Sequence, residues 1–469
     1  MELGTGLVRR LGVVVALVVL LVGAVSPPVV VPDREVQIVL TIFLFTIVLW
    51  LTKPVPFEVS SVLACVLLYA LGAVETFGEA VIGFASTLVF FLFLLLILGG
   101  SVAKVGLDEV AARRLLSSTS TPRRSVRSLA TTIFAVSFIM PSAVARAVTF
   151  IPVVRQVRTL YGLDPDSNFE YSSFFVLGHV NPIASMALMT GGGMAIVTSQ
   201  LIEGSVRAIT WVEWAVFMIP PVGVLYALSA LTAERFYPVD DRRRIDDGGR
   251  QIDDRPEPNG EDGLTRDQRI VLWVMLGTVA AWVAGSFLGT PTILPAAIAV
   301  AVLAAPGVRI VTGEDVRDVS WGILFVIGAM FSILEVMEAT GTLAFVVDVV
   351  TLVIPFGALN PWQTVAALLV VAMAVRSMFS TASAALVVTL PIILEFGSVA
   401  GVDELYLAFS VLVLIGSTTF LPFNTTSVLL SFDQGPLDVR DVFLFSLVTM
   451  SYALVVIALS WLFYWPLVT

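Results

Sequence analysis

Four polar interruptions in otherwise apolar sequence hold the residues best suited to chemistry. The first is Pro141-Ser142-Ala143-Val144, and the second runs from Gly178-His179-Val180-Asn181-Pro182 to Thr190-Gly191-Gly192-Gly193. The third is Ser380-Thr381-Ala382-Ser383, and the fourth runs from Gly416-Ser417-Thr418-Thr419 to Pro422-Phe423-Asn424-Thr425-Thr426-Ser427. Hydroxyls, amides and carbonyls freed from a helix can replace the water shell of a small hard cation. A helix that restarts after a break exposes N–H groups, which suit an anion. A single serine or threonine in an apolar helix commonly bonds only to a neighbouring helix. Four clusters at related positions point instead to a ligand site.

Arg146 and Arg376 stand in the same apolar stretches, where a guanidinium at the centre of a hydrocarbon core costs at least ~2.5 kcal/mol. Arg146 lies one helical turn beyond Ser142, placed to hold an anion or a carboxylate partner. Arg376 lies one turn before Ser380 and is not its repeat equivalent. Glu335, Glu338 and Glu395 are the acidic residues available for a structural ion pair with either.

Other chemistries are excluded by residue type. Cys65 is the only cysteine and His179 the only histidine, which rules out a disulfide within the chain and any multi-histidine metal site. His179, beside the kink at Asn181-Pro182, is expected to be a satisfied hydrogen-bonder. No zinc-protease, Walker or dinucleotide motif is present. The run Asp240-Asp241-Arg242-Arg243-Arg244-Ile245-Asp246-Asp247 has the wrong spacing for a magnesium-binding loop and reads as linker. No catalytic residue, resident cofactor or nucleic-acid partner is expected.

The elements that must carry the clusters are membrane helices. Hydrophobic residues make up 58% of the chain and charged residues 13%, against roughly 25% charged in a soluble domain. Hydropathy and the Gly, Pro and charge breaks predict eleven spans, near 11–31, 36–51, 57–74, 84–103, 171–201, 212–233, 270–288, 290–305, 319–339, 405–431 and 442–466. The first is long enough, at about 20 residues, to be a retained helix rather than a signal peptide. Two further stretches, 128–154 and 362–395, are broken at Pro141-Ser142 and Phe379-Ser380-Thr381 and read as re-entrant hairpins. With the N-terminus cytoplasmic, all of the 26 Lys and Arg except Arg34, Arg207, Arg146 and Arg376 fall inside, and the C-terminus lies outside. Acidic, lysine-poor water-facing segments suit a salt-rich cytoplasm.

The chain also repeats itself. Leu88-Val89-Phe90 to Gly106-Leu107 resembles Ile323-Leu324-Phe325 to Gly341-Thr342, and each is followed by a hairpin ending in proline, Pro152 or Pro391, and then by a broken span. Residues 1–236 form the first repeat, 237–268 an acidic linker and 269–469 the second repeat. The fold expected is an all-α membrane protein of two inverted repeats, with hairpins entering from opposite faces, a pattern of secondary transporters.

On these residues the chain resembles the divalent anion:sodium symporter family, carriers of dicarboxylates, citrate and sulfate. The likeness runs from about residue 36 to Tyr464-Trp465-Pro466-Leu467 and is carried by Gly83-Phe84-Ala85-Ser86 through Lys104-Val105-Gly106-Leu107, by Ser320-Trp321-Gly322 through Gly341, by both tips, and by the tenth span followed by Asp438-Val439-Arg440-Asp441. In that family each tip carries Ser-Asn-Thr. Here the matching triplets are Ser142-Ala143-Val144 and Thr381-Ala382-Ser383, so both asparagines are absent. The resemblance implies substrate contacts at Ser142, Ala143, Thr381, Ser383, Asn424 and Thr425, while Arg146, in a place the family usually fills with a small residue, is the candidate to supply the anion affinity lost with the asparagines. It implies sodium ligands among Ser142, Asn181, Thr190, Gly191, Ser380, Thr381, Thr425 and Thr426. It further implies sodium-coupled symport of a small divalent anion, a homodimer in the cell membrane, and a scaffold of spans 1–4 and 7–9 against a transport part of the hairpins with spans 5–6 and 10–11. A sodium/proton antiporter or an arsenite-type permease is the alternative within the superfamily, and a membrane-embedded enzyme the alternative outside it.

The charge asymmetry carries a direct test. Gly249→Cys in a Cys65→Ser background should react with impermeant thiol reagents only from the cytoplasmic side; labelling of intact cells from outside would invert the topology.

Overall fold

A computed structural model of the protein describes residues 2–27, 31, 33–107, 110, 121–140, 142–240, 264–353 and 359–469. Residues 241–263 of the expected linker 237–268, and Pro141 of the first tip, lie outside the described residues. The described chain is helical, without strands. Eight of its helices are long and apolar enough to cross a membrane: Arg34–Thr52, Thr87–Lys104, Trp211–Phe236, Arg266–Leu288, Trp321–Ala339, Pro361–Met378, Ala382–Val399 and Val439–Val468. The protein is therefore an all-α, multi-pass membrane protein.

Several expected spans are shorter or more broken than hydropathy suggests. The stretch at 290–305 forms a helix only over Ile293–Ala304, about 18 Å long at 1.5 Å per residue and too short to cross a core of about 30 Å. The stretch at 171–201 divides into Asn168–Phe175, a π-helical turn Val176–Val180, Asn181–Ala184 and Gly193–Ser205. The stretch at 405–431 divides into Glu404–Ser417, a 3-10 turn Pro422–Asn424 and Thr426–Gln434. A further helix, Thr342–Val353, lies outside the expected spans.

Both expected hairpins are helix–break–helix units. The first comprises Pro122–Ser137 and Ala143–Leu160, the second Pro361–Met378 and Ala382–Val399. Both reach beyond the ranges 128–154 and 362–395, because Thr121 and Asn360 cap the entering arms by accepting from the N–H of Arg124 and Gln363. Each cap precedes a proline at the first helical position, where its missing N–H costs nothing. The order of helix, hairpin, broken span and long helix occurs twice, from Thr87–Lys104 to Trp211–Phe236 and from Trp321–Ala339 to Val439–Leu459.

The chain clusters into two compact units, each drawing on both halves of the sequence. One comprises Met1–Phe93, Val197–Ala208 and Val319–Ile415, and the other Leu94–Ile196, Ile209–Asp318 and Gly416–Thr469. This differs from the scaffold and transport parts that the family resemblance implies, since each unit holds one hairpin. The reason is local packing: the return arm of the second hairpin lies against Trp321–Ala339, a helix assigned to the scaffold.

Within the first unit, Trp321–Ala339 packs on Phe57–Ala70 and on the 3-10 turn Ile82–Ala85. Gly83 makes that approach possible, since its N–H donates to Ser332 Oγ at 3.0 Å and a Cβ at its position would collide with the backbone at Gly328 and Ser332. Within the second unit, the polar ends of helices are tied by ion pairs. Lys104 meets Asp315 at 2.7 Å, Arg158 meets Glu170 at 2.6 Å, and Arg123 and Arg127 share Glu234. Burial alone would raise the Asp315 carboxyl, but hydrogen bonds from Lys104 and Thr312 hold it below the usual carboxylate range.

The Gly83 contact is backbone against backbone, so it cannot relax by a rotamer change. Gly83→Ala should lower stability by about 1–3 kcal/mol, the usual range for overpacking, read as a fall in the thermal midpoint of detergent-purified protein. An unchanged midpoint would show that the two segments separate without cost.

Candidate functional site

The break at the first tip is organised by its own helix restart. Ser142 takes extended backbone angles and its hydroxyl accepts from the Ala145 N–H at 3.2 Å, capping Ala143–Leu160. Thr381 does the same at the second tip, accepting from Ala384 at 3.2 Å. Each cap satisfies one of the orphan N–H groups of its first turn. The N–H groups of Ala143 and Val144, and of Ala382 and Ser383, have no intrahelical acceptor by helix geometry. Ser142, Ala143, Ser380, Thr381 and Ser383 are all half-buried, so each tip is partly accessible.

Beneath the first tip lies Arg146, fully buried. Its Nε donates to Asn181 Oδ1 at 2.7 Å, and its Nη2 donates to Ser185 Oγ at 2.6 Å and Asn181 O at 3.3 Å. Its Nη1 donates to Met140 O, the carbonyl at the end of the entering arm. Asn181 completes the junction by donating from Nδ2 to Ala143 O at 2.7 Å and Leu177 O at 3.2 Å. The guanidinium thus joins both arms of the hairpin to the first broken span. All its partners are neutral, and no carboxylate lies within ion-pair distance among the described residues, so neither Glu335, Glu338 nor Glu395 pairs with it.

Arg376 occupies a comparable post in the other unit. It is 1% exposed, and it donates from Nη1 to Phe379 O of its own tip and from Nε to Ile415 O near the end of Glu404–Ser417, both at 3.1 Å. Although the two arginines stand on opposite arms of their hairpins, each ties a tip carbonyl to a broken span. Sequence spacing alone hides this likeness.

The second unit brings the two broken spans together. Ser427 Oγ donates to Gly178 O at 3.1 Å, a carbonyl of the π-helical turn. Gly416 sits against the sulfurs of Met186 and Met194, where a Cβ would collide with both. Around the second break, Thr419 and Thr425 share a hydrogen bond at 2.8 Å, Asn424 Oδ1 accepts from the Leu421 N–H at 2.9 Å, and the Thr419 N–H reaches Ser446 Oγ at 2.7 Å. Thr426 is exposed and Thr425 half-buried, whereas Asn424 is buried.

In the first broken span, Thr190 accepts from Trp211 Nε1 at 3.1 Å, and Trp214 Nε1 donates to Met186 O at 3.2 Å. Gly191 is required by close backbone approach, since a Cβ there would lie 2.6 Å from Ser185 O. His179 departs from expectation. It is 4% exposed and neither ring nitrogen has a hydrogen-bond partner of normal length; the ring is held between Phe175 and Phe445 at centroid distances of 5.5 and 5.1 Å. The π-helical turn rotates it off the polar kink and into an aromatic cluster.

Of the expected site residues, Ser142, Ala143, Arg146, Asn181, Thr190, Gly191, Asn424, Thr425 and Thr426 fall in the second unit, and Ser380, Thr381 and Ser383 in the first. Sequence reasoning missed Ser185, Ser446, Trp211 and Trp214. The tryptophans carry a usable signal, because two indoles three residues apart at the start of an apolar helix present their N–H groups on one face.

Long apolar helices, several of them interrupted by capped breaks, make the protein a polytopic membrane protein. A family model described as the sodium:sulfate symporter transmembrane region matches residues 7–469, and the chain belongs to that family. It is also similar to a "Membrane protein" of Cupriavidus necator (strain ATCC 17699 / DSM 428 / KCTC 22496 / NCIMB 10442 / H16 / Stanier 337), 23% identical over 316 residues that cover 63% of this chain and 61% of that one. The match therefore spans less than two thirds of that relative's length.

Arg146→Gln should leave buried carbonyl and hydroxyl acceptors short of donors and lower stability by about 1–3 kcal/mol for each acceptor left unsatisfied. Arg146→Lys should recover only part, because an ammonium lacks the planar fork that reaches Met140, Asn181 and Ser185 together. Thermal unfolding of the purified variants measures both; a wild-type midpoint in Arg146→Gln would remove the guanidinium from the framework.

Proposed function

We propose that the protein is a secondary active transporter that carries a small divalent anion, sulfate or a dicarboxylate, into the cell together with sodium. The observation that carries this reading is the Arg146 guanidinium, buried beneath a helix restart with only neutral partners. A positive charge compensated by dipoles alone projects a field toward the adjacent tip. There the N-terminal N–H groups of Ala143–Leu160 add their own partial positive charge. Both favour an anion over a neutral or cationic solute.

Arg146 acts in this reading through position and field, since its donors already hold the tip and the broken span. In the second unit direct anion contacts fall to the Ser142 hydroxyl and the Ala143 and Val144 N–H groups, with Asn424 and Thr425 as further polar contacts; in the first unit Thr381 and Ser383 are the candidates at its own tip. This choice accommodates the missing tip asparagines, whose amides the backbone N–H groups replace. Sodium would take hydroxyl and carbonyl oxygens within the second unit from among Ser142, Asn181, Thr190, Gly191, Thr425 and Thr426, and within the first unit from Ser380 and Thr381. The Thr190 hydroxyl accepts from Trp211, which leaves an oxygen lone pair for a cation. Inverted orientation of the two repeats, with the N-terminus inside, accounts for the duplicated element order and the arginine distribution.

Membership of a transporter family argues against the enzyme reading. An antiporter would need a titrating carboxylate at a tip, and no carboxylate is among the hydrogen-bond partners of Ser142, Arg146 or Asn181.

Proteoliposomes should accumulate labelled sulfate or a C4 dicarboxylate only under an inward sodium gradient. Ser142→Leu and Thr381→Leu should each reduce that uptake by about a hundredfold, as expected when a bulky group fills a site that positions its ligand, while the proteins remain monodisperse. Uptake unaffected by sodium, or wild-type rates in both variants, would overturn the reading.

A further inference from the structure

We infer that the groove between the entering arm of the first hairpin, Pro122–Ser137, and the helix Trp211–Phe236 binds an anionic phospholipid. Both helices belong to the second unit, and the groove between them has a volume of about 530 Å³. Its shape follows from side-chain size. Gly223, Ala227 and Ala230 recur along one face of Trp211–Phe236 and leave a trough. The floor is pinned where Tyr226 OH donates to Ala130 O at 2.7 Å, and the Phe134 ring lies 4.9 Å from that of Tyr226. From Glu234 to Gly223 the trough spans eleven residue steps, roughly 16 Å at 1.5 Å each, a length suited to an extended acyl chain.

One end of the trough is cationic. Glu234 is buried and receives Arg127 Nε at 2.8 Å, Arg127 Nη2 at 3.0 Å and Arg123 Nε at 3.2 Å. Glu234 thus holds both guanidinium groups in place, and Arg123 gives it only its Nε. The side chains of Arg123 and Arg127 are 50% and 52% exposed, and Arg123 Nη1 and Nη2 have no partner among the described residues. Glu234 aims the pair while the free face of Arg123 remains available for phosphate oxygens, the acceptors a guanidinium fork fits best.

The occupant follows from the combination. A free anion would use the arginines and leave the apolar trough empty, and a neutral lipid would use the trough and leave the arginines unanswered. An anionic phospholipid satisfies both ends, with its phosphate at Arg123 and an acyl chain over Tyr226 and Phe134. Bound there, it joins the hairpin arm to its neighbouring helix.

The test uses delipidated full-length protein in detergent, titrated with dioleoyl phosphatidylglycerol or dioleoyl phosphatidylcholine and read by native mass spectrometry and thermal shift. Phosphatidylglycerol should bind at least about fivefold more tightly, the preference one well-placed basic residue confers, and Arg123→Gln should bring it down to the phosphatidylcholine level. Ala227→Phe, which fills the trough, should weaken both lipids; Thr131→Phe on the opposite wall serves if that variant does not fold. Glycerol 1-phosphate, a headgroup without chains, should give no thermal shift. Equal affinity for the two lipids, indifference to Arg123→Gln or to the trough-filling change, or full stabilisation by glycerol 1-phosphate would each overturn the inference.

Discussion

Where a helix breaks at membrane depth, every N–H and C=O released must find a partner inside the protein, because hydrocarbon supplies none. That constraint shapes the interior of this molecule more than any other. At the first tip the freed Met140 carbonyl is met by Arg146 and the Ala145 N–H by Ser142, while Asn181 donates to the Ala143 carbonyl at the start of the return arm. At the second, Arg376 meets Phe379 O and Ile415 O, and Thr381 meets the Ala384 N–H. Each arginine offers a rigid fork of donors long enough to reach two chain segments together. A guanidinium is a costly residue in a membrane, and its retention at both tips is explained by the number of orphaned carbonyls it satisfies.

The all-helical membrane class, most of the long helices and the four breaks were legible in the sequence because they rest on local signals, hydropathy, proline and glycine, whereas the helix Thr342–Val353 was not. The cap at Thr121 was not legible, and the first hairpin begins at Pro122, before the expected 128. Pairings between distant segments were not legible. Nothing in the spacing of Arg146 and Asn181 announces a hydrogen bond across 35 residues. The same limit hid Ser427 on Gly178, which joins the two broken spans. His179 misled for a different reason: the π-helical turn adds a residue to the helical period, and the side chain rotates from the polar face into Phe175 and Phe445. A π-bulge of this kind is common at functional sites and has no reliable sequence signature.

The second unit also shows how close packing and soft contact coexist. Gly416 and Gly178 let the two broken spans approach backbone to side chain, with Ser431 and Val428 against Gly178 and two methionine sulfurs against Gly416. Thioethers are polarizable and conformationally adaptable, so the contact at Gly416 can shift without opening a void. The contact at Gly178, fixed by a hydrogen bond, cannot. One side of the junction is therefore stiff and the other compliant.

The neutral surroundings of Arg146 have an electrical meaning as well. One elementary charge moved across 100 mV is worth about 2.3 kcal/mol. Hydrogen bonds to Met140, Asn181 and Ser185 fix the guanidinium to the tip and the broken span together, so any displacement of that tip along the membrane normal carries its positive charge along. A dianion held at the tip would then travel with one of its two charges offset by the guanidinium, and the sodium carried with it would complete the charge on which the membrane voltage acts.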